Sequence, residues 1–386
     1  MAGILLSRRD FLIGCSAAAA PILTPMTFAA APGENRLVVI VLRGAMDGLD
    51  LLRPLGDPDF ARLRPKLAQN AEEQSLPLNG FFGLHPACAP LMPLWQAGEL
   101  SFATAVATPY RSRSHFDGQD ALETGSGEAS GAATLARDGW LNRALQVTPG
   151  AQSLGAVTVG VEPMLILEGK ARVQHWYPVA DSRMSPQGLD LLGDLYDESP
   201  DLSPTYAEAQ LLRGETEAAS GNSGEKALGG YVAERLRGEA RIATFSFSGW
   251  DTHHRQEYHM GKRLAAFSEM LLSLREGLGA DWARTSVIAL TEFGRTVAEN
   301  GSGGTDHGTG GVALLAGGAI RGGQIMGDWP GLDEADLLAR RDLMPTADVR
   351  GYAGALLHEM FGLALSDIEG QVFPGLNLPQ TLQLVR

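Results

Sequence analysis

The sequence predicts an α/β three-layer sandwich with a central, mostly parallel sheet. Three observations carry that prediction. Residues 37–42 (Leu-Val-Val-Ile-Val-Leu) form an unbroken aliphatic run, the pattern of a strand covered on both faces. Comparable runs recur at 100–107, 241–247, 285–290 and 312–317, with helical stretches between several of them. The runs lead into or out of turns rich in Gly, Asp, Glu and His, as expected where an open α/β sheet gathers its ligands.

The elements follow in order. After the first strand, residues 58–67 and 86–97 read as helices, and 100–107 as the second strand. Ser114 is placed to cap a helix over 115–122, with Asp117 completing a capping box. Short strands are expected within 152–168. Residues 178–229 are polar and rich in Asp, Ser, Pro and Gly, and read as a helical insertion or flap. The strand at 241–247 leads to a long helix over 258–278, where Leu264, Phe267, Leu271, Leu274 and Leu278 share one face. A strand at 285–290, a Gly-rich loop at 300–305, a strand at 312–317 and a helix at 349–361 complete the domain.

Composition narrows the function classes. The chain has 386 residues, 44% hydrophobic and 20% charged, which is globular and excludes a multi-span membrane protein. A formal charge of −14 repels phosphodiester backbones, so nucleic acid is not an expected partner.

The N-terminus carries Ser7-Arg8-Arg9-Asp10-Phe11-Leu12-Ile13, a twin-arginine export pattern, followed by an apolar stretch to Ala31 interrupted by Pro21 and Pro25. Residues 1–31 therefore read as a signal peptide cleaved between Ala29 and Pro32, and residues 32–386 as the mature domain. The expected location is periplasmic or secreted, with the twin-arginine translocon as partner during export and no stable membrane span after cleavage. That route carries folded proteins, often with a cofactor inserted. Cleavage leaves Cys88 as the only cysteine, set in an apolar stretch and read as a buried thiol.

The chemistry gathers at strand ends. The first gives Asp47, the second leads to Ser114 and His115, the third gives Asp251 and His253, and the fourth gives Glu292, followed by Asp306 and His307. One acidic residue at a strand end is routine. Four ends carrying carboxylate or imidazole suggest a divalent metal: Zn²⁺, Mn²⁺ or Fe for the mixed set, Mg²⁺ or Ca²⁺ for carboxylate and water. Alternatives stay open at three positions. Asp47 reads equally as a ligand or as the cap of the turn at Gly48. Ser114 reads as an activated nucleophile or as a helix cap. Arg295 reads as the partner of Glu292 or as the holder of a substrate anion.

Taken together, the arginine signal, Arg43-Gly44-Ala45-Met46-Asp47-Gly48, Arg113-Ser114-His115-Phe116-Asp117, Gly249-Trp250-Asp251-Thr252-His253, Thr291-Glu292-Phe293-Gly294-Arg295 and Gly304-Thr305-Asp306-His307-Gly308 are similar to an exported bacterial family, number 1501 among domains of unknown function. More distantly the chain resembles the alkaline phosphatase, sulfatase and phosphomutase superfamily. That resemblance implies a metal site at the strand ends. Asp47 would match a first-strand ligand, Ser114 or Ser112 a nucleophile, Asp251 and His253 a later ligand pair, and His307 the last histidine. Glu292 stands where that superfamily has Asp-His, and the sulfatase Cys-x-Pro-x-Arg pattern is absent.

Two readings result. The first is an exported metal-dependent hydrolase of sulfate or phosphate esters, small or polymeric. Its metal is held by Asp47, Asp251, His253, Glu292, Asp306 and His307, and its chemistry is carried by Ser114, His115 and Arg295. The second is a non-catalytic exported metal- or polymer-binding protein with a degenerate site of the same kind.

Overall fold

The sheet is built around strand β1 (Arg36–Arg43), whose alternate residues enter opposite layers of core. Val38, Ile40 and Leu42 join one buried cluster, and Leu37, Val39 and Val41 the other. With both faces covered, no position is left for a polar residue, which is why the run reads as unbroken. The protein's structure, a computed structural model, describes residues 34–126, 138–148, 155–160, 164–176, 224–378 and 382–386. The signal peptide read at 1–31 and most of the insertion read at 178–229 lie outside the described residues.

The remaining strands are β2 (Leu52–Arg53), β3 (Leu76–Pro77), β4 (Gly83–Leu84), β5 (Leu100–Ala107), β6 (Gly155–Val159), β7 (Gln174–Trp176), β8 (Ala240–Ser248), β9 (Thr285–Leu290), β10 (Gly311–Ala316), β11 (Ile325–Met326) and β12 (Ala347–Asp348). Nine of them make one sheet in the order β11-β5-β10-β9-β1-β8-β6-β7, with β12 also on β5, while β2, β4 and β3 form a small separate sheet. Strand β10 pairs antiparallel with both β9 and β5, and every other pairing in the large sheet is parallel. The fold is thus a mostly parallel sheet between two helical layers. Helices Glu225–Arg237 and Gln256–Leu278 pack on one face, and Trp140–Val147 and Val349–Phe361 on the other.

The long helix buries its expected stripe: Leu264, Phe267, Leu271, Leu274 and Leu278 are all essentially inaccessible. Each such side chain contributes roughly 1.5–3 kcal/mol by leaving water. Among the described residues no helix is long and apolar enough to cross a membrane.

Three local expectations differ from the structure, the first two for a steric reason. The helix expected over 58–67 is one turn, Phe60–Leu63, because Pro65 bars Arg64 from helical torsions. The helix expected over 86–97 splits into a 3₁₀ segment, Pro86–Leu91, and a short α-helix, Met92–Gln96, since Pro90 and Pro93 remove backbone donors. Ser114 does precede the helix His115–Thr124, but its side chain makes no cap hydrogen bond, so the capping box is not formed.

Cys88 is buried, and that burial pushes its thiol up to about 12. Nearby His85 caps the 3₁₀ segment, its Nδ1 accepting the Ala87 N–H at 3.1 Å. Burial holds this imidazole down to about 4, against an ordinary 6.5. Unfolding therefore takes up a proton throughout that interval. His85 leaves stability intact above about pH 6.5 and removes on the order of 3 kcal/mol as the pH falls to about 4. His85→Asn keeps an acceptor for Ala87 without the titration. Denaturant melts at pH 7 and 4.5 should show a smaller acid loss in the variant; equal losses would contradict this account.

Candidate metal centre

Five segments meet at one edge of the sheet. The carboxyl ends of β1, β5, β8 and β9 lead there. Strand β10 runs the other way, so the segment that precedes it, 305–310, arrives at the same edge. Two glycines make the crowding possible. Gly44 has φ +117°, and a Cβ there would stand 2.6 Å from the Asp251 nitrogen, so the exits of β1 and β8 touch. A Cβ on Gly294 would lie 1.9 Å from the Gly310 oxygen, where the loop after β9 crosses the approach to β10. That crossing is tied by Gly294 N–H to Thr309 O at 2.9 Å and by Gly308 N–H to Gly294 O at 2.8 Å.

At this edge His115, Asp251 and His307 present ligand atoms that all lie within 4.8 Å of one another. His115 Nε2 is 3.0 Å from His307 Nε2 and 3.5 Å from Asp251 Oδ2. His253 adjoins them, its Nε2 3.0 Å from His307 Nε2 and 3.1 Å from Asp251 Oδ1. The outer faces of the rings fix their tautomers. His115 Nδ1 faces Glu292 Oε1 at 2.8 Å, His253 Nδ1 faces Asp306 Oδ1 at 3.2 Å, and His307 Nδ1 faces the Arg113 carbonyl at 3.1 Å. Each partner only accepts, so each Nδ1 must donate. In the neutral rings the three Nε2 lone pairs then turn inward beside a carboxylate. Lone pairs this close repel unless a proton or a cation lies among them. A carboxylate or carbonyl behind each ligating imidazole is the usual support of a metal site. Ligands about 2.0–2.2 Å from a common ion stand roughly 3.3 Å apart, close to the separations seen here. The residues present therefore fit a divalent cation.

Glu292 and Arg295, which support the centre, are buried, whereas Asp306 is exposed. Glu292 Oε1 also accepts the Gly44 N–H at 2.8 Å, and its Oε2 accepts the Thr291 hydroxyl at 3.0 Å. Arg295 sends Nε to Ala45 O, Nη1 to Thr305 O, and Nη2 to Gly44 O, Trp250 O and, at 2.5 Å, Asp251 Oδ1. Burial opposes ionisation of Asp251 and Glu292, but Arg295 outweighs it for the first and His115 for the second, so both carboxyls lie below their ordinary range. The hydrogen bond to Glu292 raises His115, whereas burial and the neighbouring His115 lower His307. Asp306 is lowered, first by its hydrogen bond from Asn300. The centre remains open to solvent: Asp251 and His253 are 45% and 41% exposed.

Of the residues singled out from sequence, the structure brings Asp251, His253 and His307 together and adds His115, expected among the catalytic residues, to them as a ligand candidate. Glu292 and Asp306 stand behind the imidazoles instead of facing the centre. Asp47 does not join it. Its carboxylate caps the helix Gly48–Leu51 and pairs with Arg64 at 2.8 Å, both side chains 1% exposed, and Gln256 donates to it at 2.7 Å. Arg295 pairs with Asp251 rather than with Glu292, and its guanidinium is spent on the protein, leaving nothing for a substrate anion. Ser114 sits beside His115, and among the described residues no side chain hydrogen-bonds its hydroxyl. Sequence reasoning missed Arg64, Gln256 and Asn300. Arg64 and Gln256 act on Asp47 from 17 and 209 residues away, and Asn300 reaches Asp306 across a loop of six residues, so no helical or strand periodicity marks any of them.

The family of proteins of unknown function designated DUF1501 matches residues 82–368. The chain belongs to this family. No curated protein matches the sequence. Among solved structures, the chain is similar to Ps i-CgsB in complex with k-i-k-neocarrahexaose, at 9% identity and a TM-score of 0.40, covering 88% of this chain and 74% of that one. It is also similar to the C-terminal periplasmic domain of EcEptC from Escherichia coli in complex with Zn, at 9% identity and a TM-score of 0.39, covering 74% and 73%. A protein in the alkaline phosphatase superfamily from Vibrio parahaemolyticus gives 12% identity and a TM-score of 0.35, covering 81% and 69%. The match to the DUF1501 family accords with the likeness read from the motifs.

Proposed function

We propose that this DUF1501 protein is an exported, metal-dependent hydrolase of sulfate or phosphate esters. The observation that carries the reading is the convergence of His115, His253, His307 and Asp251, with an acceptor behind every imidazole. A divalent cation held there supplies Lewis acidity toward an ester oxygen. The chain's own residues do the rest. Glu292, Asp306 and the Arg113 carbonyl keep the Nδ1 protons outward, so that each Nε2 keeps its lone pair toward the centre. Arg295 fixes the Asp251 carboxylate in one orientation and balances its charge. The exposure of Asp251 and His253 admits a small or polymeric ester. Imidazole with carboxylate favours Zn²⁺, Mn²⁺ or Fe over Mg²⁺ or Ca²⁺. Because Asp47 and Asp50 are engaged by Arg64 and Arg53, we assign one ion to the chain. The arginine motif at residues 7–13 supports twin-arginine export to a periplasmic or secreted location.

The test is metal content by mass spectrometry on chelator-free protein, followed by a sulfate- and phosphate-ester screen with added Zn²⁺, Mn²⁺, Mg²⁺ and Ca²⁺. One tightly held ion and turnover that depends on it are expected. A metal-loaded protein without turnover on any ester would favour the alternative, a non-catalytic metal- or polymer-binding protein, which the unassisted Ser114 hydroxyl also suits.

A further inference from the structure

Beside the metal centre lies a cavity of about 350 Å³, within the size range of small-ligand sites. Two of its lining residues reach the centre directly. Asp306 holds His253 Nδ1, and Arg341 donates from Nη2 to the His307 carbonyl at 2.9 Å and from Nη1 to the buried Asp342 at 2.8 Å. The cavity is therefore one hydrogen bond away from the His253 imidazole and from the backbone that carries His307.

Its charges are unequally engaged. Glu299 accepts the backbone N–H groups of Lys66 and Leu67 at 3.0 and 2.9 Å, and Asp306 accepts Asn300 and His253. These two lining carboxylates are committed to the protein, and the third, Glu334, stands 3.6 Å from Arg340. Arg62 spends only Nε, on Asp59, and among the described residues no hydrogen bond engages its two Nη atoms. Among the described residues Arg340 has a single ion-pair partner, Glu334, at 3.6 Å, beyond hydrogen-bond length. Two guanidinium groups with spare N–H donors thus face a cavity in a protein whose net charge is −14.

The backbone that delivers Arg340 is also unusual. Leu338 and Asp342 pair through N–H···O bonds of 2.9 and 3.1 Å, and the turn between them holds Ala339 and Arg340 at φ +53° and +56°. Side chains with a Cβ disfavour that conformation, and neither residue is Gly or Asn. Such strain persists where surrounding structure over-determines it, and it clusters at ligand-binding segments.

We infer that this cavity is an oxyanion subsite, in which Arg62 and Arg340 take a carboxylate, sulfate or phosphate carried on the substrate away from the bond that is cleaved. The inference rests on the ester-hydrolase reading and narrows its substrate to an ester bearing a second anionic group. Guanidinium suits all three anions, since its planar fork offers paired donors to two oxygens.

The test separates binding from catalysis. The metal-stripped full chain is titrated by calorimetry at low ionic strength with sodium sulfate, sodium phosphate and sodium galacturonate, and the preferred anion identifies the source. At least one should bind. Arg62→Gln with Arg340→Gln should raise its Kd about tenfold or more, and Glu334→Gln should lower it by removing a competing charge. An unchanged Kd in the double variant, or no binding of any of the three anions, would overturn the subsite. All three substituted side chains are exposed, so folding should be retained. Metal content measured on the same variants reports the centre alone. A failed subsite therefore leaves the metal reading standing, and a failed centre leaves the anion titration interpretable.

Discussion

Asp251→Ala is expected to reduce bound metal from near one equivalent to a small fraction while the protein stays folded. The carboxylate is the only acidic group among the converging ligands and lies on the open side of the centre, so its loss leaves three imidazoles and exposes no core. Removal also frees the buried Arg295, whose other N–H groups still reach four carbonyls. His307→Ala should act in the same way, since its Nε2 stands 3.0 Å from both other imidazoles. Glu292→Gln probes the support behind His115. It keeps an acceptor of similar shape but no charge, and should weaken metal binding by roughly 10–100-fold, the usual effect of removing such a partner. Any ester hydrolysis should fall in step with metal content in all three variants. Stoichiometric metal in folded Asp251→Ala would place the ion elsewhere and remove the basis of the hydrolase reading.

Asp47→Ala should give the opposite pattern: a large loss of stability with metal content unchanged. Asp47 and Arg64 are both 1% exposed, and Arg64 also holds the Thr296 and Val297 carbonyls at 2.8 Å each. Deleting the carboxylate leaves a buried guanidinium without its counter-charge and the following helix without its cap. Breaking a buried pair in this way costs about 3–5 kcal/mol. Asp47→Asn preserves size and part of the capping, and supplies a folded comparison if the alanine variant does not accumulate. Thermal melts should order the proteins as wild type, then Asn, then Ala. Loss of metal from folded Asp47→Asn would show that Asp47 reaches the ion after all.

These two experiments separate residues that one sequence pattern treats alike. Asp47 and Asp251 both follow a buried strand and a glycine, and the sequence leaves Asp47 open as either a ligand or the cap of the turn at Gly48. The strand from β1 to Asp47 turns immediately into a helix, whose first N–H groups claim the carboxylate. Beyond Asp251 the chain continues through His253 before its helix begins, which leaves the Asp251 carboxylate facing the opening. Arg64 settles the matter, and it comes from a segment that reads only as a helix over 58–67. Arg295 shows the same limit. Its charge and its place after β9 are visible in the sequence, but its engagement with four carbonyls from three segments, two of them distant, is not.

What the sequence determined by itself is the part governed by local periodicity. Strands β5 and β9 and the helix Val349–Phe361 fall where the apolar pattern puts them. The alternation of strands and helices specifies a covered, mostly parallel sheet, because aliphatic runs without polar positions must be buried on both faces. The same pattern places Asp251, His253, Glu292, Asp306 and His307 near strand ends. Tertiary structure alone decided the direction of β10, which brings His307 to the carboxyl edge of its neighbours. It also decided which carboxylates face the centre and which stand behind an imidazole. Those assignments depend on distances of about 3 Å between groups up to 192 residues apart in the chain. Hydrophobic periodicity fixes the side of an element on which a residue lies, but carries no information about the polar group it will meet there.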